Sequence, residues 1–274
     1  MTDIKSMGLY RNVDRILADL KASGFDDDHP LTVDDLTRFD QYHYEGTSAV
    51  DDAIGFLQPG PGTHILDVGS GLGGPARYIA DRTGSQVTAL EIQDDLNDTA
   101  TSLTARCKLD GLVRHINGDV LEGPVEADMF HGIVSMLCFL HIPDRARLFD
   151  NCARALVEGG VLFTDDYYER APLTDTEKAD LAEKVYCHYV PTIDRYVGDL
   201  SKAGFVQVTT VDKTADWTDF VNDRLEQFHS LRADLGHRYG TETVANLDDF
   251  YTTVAGLFNN GHLGGLRLTA RLGS

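Results

Sequence analysis

Over residues 8–23, GLYRNVDRILADLKAS, apolar side chains at Leu9, Val13, Ile16, Leu17 and Leu20 recur every three or four positions. That spacing predicts an amphipathic helix, closed by Gly24. Thr32 is a fitting cap for a second short helix, an aromatic-polar connector follows, and a third helix is expected from about Thr47 to Leu57. Beyond Thr63 the pattern changes. Apolar runs at 63–68, 86–91, 113–117, 130–135 and 160–165 read as strands, and the amphipathic stretches near 74–83, 94–109 and 143–156 as helices. Runs such as GIVSML and GGVLFT are too continuously apolar for a half-exposed sheet. Alternating with helices, they indicate right-handed crossovers and a parallel sheet, hence a doubly wound α/β fold.

After the fifth strand the order shifts. TDTEKADLAEKVYCHY and TIDRYVGDLSKAG read as two helices, FVQVTTVD as a strand, the stretches near 215–235 and 242–260 as two more helices, and GGLRLTARL as a closing strand. A helical excursion of that length between strands predicts a cap over the C-terminal edge of the sheet, where open α/β sheets bind ligands. The expected organisation is a helical, cofactor-covering segment at 1–58, an α/β core at 59–212, a helical insert at 213–262 and a final core strand at 263–274.

Composition narrows the partners. A chain of 274 residues, 42% hydrophobic, can bury a sizeable core as one large domain or one domain with an insert. The formal charge of −20 argues against nucleic acid, whose binding relies on Lys/Arg patches, and favours a small-molecule substrate. A well-solvated surface and adaptation to high salt both account for the excess acid, and composition does not separate them. With no leader-like start and no run approaching the ~20 apolar residues of a bilayer span, no membrane association and a cytoplasmic location are expected, and a homodimer stays open. Cys107, Cys138, Cys152 and Cys187 are too scattered for a zinc or redox pair, and no metal site is expected.

The chemistry centres on HILDVGSGLGGPARYIA, His64 to Ala80. Gly69, Gly71 and Gly73 fit G-x-G-x-G, while Gly69, Gly71 and Gly74 fit G-x-G-x-x-G. Either way the backbone can approach a ligand closely at a helix N-terminus, and the glycines alone admit S-adenosylmethionine (SAM), a dinucleotide such as NAD, or a tight turn with no ligand. Asp67, two residues before the first glycine, suits the cationic amino group of SAM and would repel a pyrophosphate. Glu91, at the end of the second strand, is placed for ribose hydroxyls, a role common to both cofactors. Asp119, after the third strand, is either an acceptor for an adenine amino group or an ordinary turn aspartate.

HILDVGSGLGGPARYIA, VTALEI, INGDVLE and GIVSMLCFLHIPDRARLF, in that order over about residues 60–165, resemble the successive motifs of class I SAM-dependent methyltransferases. The flanks, RFDQYHYEGTSAVDDAI and the late helical excursion, are similar to the small-molecule sarcosine/dimethylglycine and phosphoethanolamine N-methyltransferases. The resemblance implies a Rossmann-like seven-stranded sheet ending in an antiparallel strand, with SAM as cofactor. It assigns Asp67, Gly69 and Gly71 to the methionine end of SAM, Glu91 to the ribose, Asp119 and Val120 to the adenine, and Leu137 to the neighbourhood of the sulfonium. Gln41, Tyr44 and Gly46 would cover the cofactor, and Ser70, Ile92 and Gln93 complete the expected cofactor set.

His141 follows the fourth strand and is the candidate general base; capping the next helix or packing in the core would place it equally well. Tyr44 and Tyr168 join it as candidate catalytic residues. Tyr167, Tyr168, Tyr186, His188 and Tyr189, with His141, form the expected substrate-binding set, and Tyr196 is a further aromatic there. Their rings could hold an ammonium by cation–π attraction, although Tyr186 and Tyr189 also fit plain helix packing. Asp165, Asp166 and Glu169 would neutralise such an amine or face solvent. The expected reaction is methyl transfer to the nitrogen of a small amine or amino acid. Transfer to a natural-product hydroxyl is the alternative within this chemistry; an NAD-dependent oxidoreductase and a non-enzymatic SAM-binding protein are the alternatives outside it.

Overall fold

The computed structural model describes residues 13–26 and 29–273, apart from the side chain of Asp14. The expected helical turn at 8–12 lies outside them. Helix α1 (Val13–Ala22) precedes α2 (Val33–Asp40), whose start is fixed by a capping box. Thr32 Oγ1 accepts from the Asp35 N–H at 3.2 Å, and Asp35 Oδ2 accepts from the Thr32 N–H at 2.8 Å. After the connector comes α3 (Thr47–Leu57).

The core then alternates strand and helix: β1 (His64–Val68), α4 (Gly74–Thr83), β2 (Gln86–Glu91), α5 (Asp94–Arg106), β3 (Val113–Asn117), β4 (Phe130–Met136), α6 (Arg145–Ala155) and β5 (Leu156–Glu169). Helices α7 (Asp175–Lys184) and α8 (Ile193–Lys202), strand β6 (Phe205–Asp212), the long hairpin α9 (Thr214–Tyr239) and α10 (Thr241–Asn259), and β7 (Leu263–Leu272) complete it. The strands form one sheet in the order β3-β2-β1-β4-β5-β7-β6, parallel except for β7, which runs antiparallel to both neighbours. The antiparallel seventh strand implied by the sequence resemblance is therefore present. Because β2 and β4 leave β1 in opposite directions, a crevice opens beyond the C-terminal ends of β1 and β4.

Some boundaries depart from expectation. Strand β5 begins at Leu156 rather than 160, and α7 stops at Lys184 instead of continuing through Tyr189. Tyr186 sits at φ +57°, a left-handed conformation that ends any helical run, so Tyr186 and Tyr189 are not a helical i, i+3 pair. The α9–α10 hairpin seats on β7 through two bare backbone positions. A Cβ on Gly265 would lie 2.1 Å from the Trp217 ring, and one on Gly264 would lie 2.7 Å from Thr214 Oγ1 at the start of α9. Asp165 and Asp166 are buried and ion-paired, with Arg267 at 2.7 Å and Arg145 at 2.9 Å. They neither face solvent nor remain available to an amine.

Candidate active site

The turn between β1 and α4 is built by its glycines in unequal ways. Gly69 and Ser70 donate their N–H groups to the Leu90 carbonyl at 2.9 and 3.0 Å, tying the turn to β2. Gly69 has φ +75°, and a Cβ there would lie 2.1 Å from Cys138 Sγ; a Cβ on Gly74 would lie 2.3 Å from the Asp40 carbonyl. Those two glycines admit protein neighbours. Gly71, at φ +52°, would place a Cβ in open space.

That open side belongs to a cavity of about 1220 Å³ at the C-terminal edge of the sheet, floored by the ends of β1, β2 and β4 and roofed by α1, α2, α9 and α10. Asp67 and Glu91 are both buried in its floor. The Glu91 carboxylate accepts from the Gly71 N–H through Oε2 and from the Gln93 N–H through Oε1, both at 2.9 Å. A carboxylate offers about four lone-pair sites, so each oxygen can still accept from a ligand hydroxyl. Burial first, and then the charge of Glu91, push the Asp67 carboxyl up to about 7, against an opposing hydrogen bond from the Ala76 N–H and the charge of Arg77. Asp67 Oδ2, Gln41 Oε1 and Gln93 Oε1 are buried acceptors with no donor among the described residues, and all three residues line the cavity. Such atoms call for a ligand that brings N–H and O–H groups, one of them cationic beside Asp67.

At the far end of the floor, Leu137 holds φ +55° while its N–H donates to the Asp165 carbonyl at 2.8 Å. For leucine that conformation costs about 1–2 kcal/mol, a strain of the kind found where backbone is committed to a site. His141 Nδ1 is 3.2 Å from the Tyr186 carbonyl. A carbonyl only accepts, so the hydrogen sits on Nδ1 and Nε2 is the basic nitrogen of the neutral ring. Burial, with Arg145 and His188 nearby, lowers the His141 pKa to about 4. The helix-capping alternative does not hold: Asp144 caps α6, accepting from the Arg147 N–H at 3.2 Å. Asp119 Oδ1 accepts from the Leu121 N–H at 2.8 Å, so the residue acts as a turn cap and also lines the cavity.

The family described as methyltransferase domain matches residues 66–164. The chain is 27% identical over 157 residues to the sarcosine/dimethylglycine N-methyltransferase of Halorhodospira halochloris, covering 57% of this chain and 56% of that protein. It is 29% identical to phosphoethanolamine N-methyltransferase 2 of Caenorhabditis elegans, over 68% of this chain and 46% of that protein. The chain thus spans about half the length of these relatives. Its fold matches the Haemonchus contortus phosphoethanolamine N-methyltransferase 2 solved with phosphomonomethylethanolamine and S-adenosylhomocysteine, with a TM-score of 0.79 and 18% identity over 94% of this chain and 60% of that one. Residues 66–164 thus match a methyltransferase-domain family, on a fold shared with that enzyme.

The cavity gathers Gln41, Tyr44, Asp67, Gly69, Ser70, Gly71, Glu91, Ile92, Gln93, Asp119, Val120, Leu137, His141, Tyr167 and His188 from the sequence-predicted set. It does not gather Gly46, Tyr168, Tyr186 or Tyr189. Gly46 instead starts α3, its carbonyl contacted by His43 Nε2 at 3.0 Å. Tyr168 points to the opposite face of β5 from Tyr167, into the core, and its hydroxyl donates to Asp212 at 3.1 Å. Tyr186 contributes its carbonyl to His141, and Tyr189 lies by Arg195 in a separate hollow. Tyr196 is buried, donating to Asp166 at 3.0 Å. The expected ring cage therefore does not assemble. On Tyr44 a cation is already in place, the Arg224 guanidinium 5.7 Å from its ring centre.

The helical cap expected from the sequence forms the roof, but its lining side chains, among them Arg15, Arg224, Phe228, Phe250 and Tyr251, were not singled out. These positions carry only helical periodicity and no motif. Sequence reading also missed the link between the connector and the roof: the Tyr44 and Tyr167 hydroxyls meet at 2.5 Å, and Glu45 takes Lys213 at 2.9 Å and the Trp217 indole N–H at 3.3 Å. A double-mutant cycle with Tyr44→Phe and Tyr167→Phe, read by denaturant unfolding, should give a coupling of about 1 kcal/mol. Additive single losses would mean that the two hydroxyls do not support each other.

Proposed function

We propose that the protein is a SAM-dependent methyltransferase that methylates the nitrogen of a small-molecule amine. The observation that carries the cofactor is Asp67, a buried carboxylate with one oxygen unmet among the described residues, beside the open Gly71 turn, where an ammonium is the best-suited partner. The same acid disfavours a dinucleotide, whose pyrophosphate it would repel, whereas Glu91 would serve the ribose of either cofactor. The nitrogen acceptor is supported by the sequence likeness to the two N-methyltransferases.

Bound there, SAM would supply a methyl group activated by its sulfonium, open to in-line displacement by a nitrogen lone pair. The residues divide the remaining work. Asp67 and Gly71 receive the methionine end, Glu91 the ribose hydroxyls, and Asp119 and Val120 the adenine. Gln41 and Tyr44 close over the cofactor from the connector, and Leu137 and His141 border the position of methyl transfer. Holding acceptor and donor in line is the protein's main contribution. With its pKa at about 4, His141 is neutral throughout the physiological range and too weak a base to strip an ammonium. Its Nε2 can accept a hydrogen bond from an acceptor N–H and so aim the nitrogen lone pair at the methyl group.

His141→Asn should therefore lower kcat roughly tenfold, the worth of about 1.4 kcal/mol, with little change in SAM affinity. The wild-type kcat profile should lack an inflection near pH 6.5 that disappears in this variant; finding one would restore His141 as a titrating base. The reaction itself is tested by incubating the protein with SAM and a panel of amines, amino acids, thiols and phenols, with products read by mass spectrometry. Turnover of hydroxyl acceptors alone would overturn the nitrogen assignment. SAM binding without turnover of any acceptor would favour a binding protein.

A further inference from the structure

The roof half of the cavity differs in character from the floor. Phe228 and Leu231 of α9, Leu247 and Phe250 of α10, and Ile16 and Phe39 from the N-terminal helices form its apolar wall, with Gln227, Thr243 and Asn246 lining the same half. Within each hairpin helix the two wall residues are three apart, so each pair forms a stripe, and both stripes face the same space. Leu231 is 51% exposed, apolar surface left in contact with the open cavity. The charged residues around this wall are already engaged. Asp19 pairs with Arg238 at 3.0 Å, Arg38 stacks on Phe39 at 4.5 Å, Arg224 stacks on Phe220 at 4.6 Å, and Arg15 hydrogen-bonds to Tyr42. At about 1220 Å³ the cavity holds room for an acceptor as well as the cofactor. A small zwitterion beside the cofactor would leave the whole apolar wall facing water.

We propose that the acceptor is an amphiphilic amine, its nitrogen at the His141–Tyr167 end and a hydrocarbon body laid along the wall between the α9–α10 hairpin and α1–α2. This rests on the methyl-transfer reading for the nitrogen, whereas the hydrocarbon body rests on the wall alone.

The test is a homologous series of n-alkylamines from ethylamine to octylamine, compared with glycine, sarcosine and phosphoethanolamine. Each compound is titrated calorimetrically into protein saturated with S-adenosylhomocysteine and, separately, offered with SAM as a methyl acceptor. Every member of the series carries the same ammonium, so attraction to the acidic chain is common to all and the slope with length isolates the wall. Kd should fall about fourfold per methylene, and kcat/KM should rise in parallel. Leu231→Asp, at a half-exposed position that tolerates the change, should flatten that slope, and Leu247→Asp should do the same. A Kd that is flat or rises with length, with tighter binding of the three polar compounds, overturns the proposal even if those compounds are methylated. A falling Kd with no methylation of any amine upholds the apolar acceptor site and overturns the nitrogen reading instead.

Discussion

Asp67→Asn should weaken SAM binding by one to two orders of magnitude and remove its dependence on pH below neutrality. In the ligand-free protein the Asp67 carboxyl titrates at about 7, held up by burial and by Glu91. An ammonium set against Oδ2 favours the ionised form and pulls that pKa down on binding. Below pH 7, binding then requires a proton to leave, and Kd should rise about tenfold for each unit of pH lost, levelling off above 7. The asparagine variant has no such proton and should show a flat profile, offset by the roughly 1.5–3 kcal/mol of a hydrogen bond to a charged group. Stability should move with the opposite sign. A carboxyl raised by folding contributes stability that is present below its unfolded pKa of 3.8 and is lost as pH rises through 7. The ligand-free variant should consequently melt above wild type at pH 8 and level with it near pH 4. Calorimetric titration and thermal melts at pH 4, 6, 7 and 8 check both limbs. A wild-type SAM affinity that ignores pH between 6 and 8 would place the ammonium away from Asp67.

The floor of this site was legible in the sequence residue by residue and the roof only as helices, for a physical reason. Parallel strands buried on both faces must be nearly continuous apolar runs, so β1, β2 and β4 stand out, while the edge strand β3 is half-exposed. The polar residues at their C-terminal ends, Asp67, Glu91 and Asp119, are fixed in position by the strands themselves. Strand β5 carries Tyr167 and Tyr168 side by side, and which one faces the cavity depends on pairing with β7, about a hundred residues away. Sequence alone admitted both; register turned Tyr168 into the core. Phe228 and Leu231 repeat at helical spacing whether they meet a neighbouring helix or a ligand. A hydrophobic stripe says that a face is covered without saying by what. Gly74 shows the same limit in the turn, because the third glycine of the G-x-G-x-x-G reading makes room for the Asp40 carbonyl rather than for a phosphate.

That contact belongs to the second large effect, at Arg77. The side chain is fully buried, with Nη2 on Asp40 Oδ2 at 2.8 Å and on the Leu72 carbonyl at 2.5 Å, and Nη1 on the Ala100 carbonyl at 3.2 Å and Thr104 Oγ1 at 3.1 Å. One guanidinium thus joins the end of α2, the glycine turn, α4 and α5. Arg77→Ala leaves the Asp40 carboxylate buried without its cation and should cost about 3–5 kcal/mol of stability. Burial already raises the Asp40 pKa despite the arginine, and without it the carboxyl rises further. The deficit should therefore be greatest at pH 8 and shrink toward pH 5, where Asp40 escapes its penalty by taking up a proton. Arg77→Met combined with Asp40→Leu removes both charges and should recover more than half of the loss, because breaking a buried pair costs more than replacing it. The same variants separate stability from ligand binding. Asp40 anchors the connector that carries Gln41 and Tyr44, so the rescued double variant should fold yet bind SAM more weakly than wild type. Urea unfolding at pH 5 and pH 8, with calorimetric SAM titration of the double variant, decides the point. A loss below 1 kcal/mol for Arg77→Ala, or wild-type SAM affinity in the double variant, would mean that the connector keeps its place over the cofactor without this clamp.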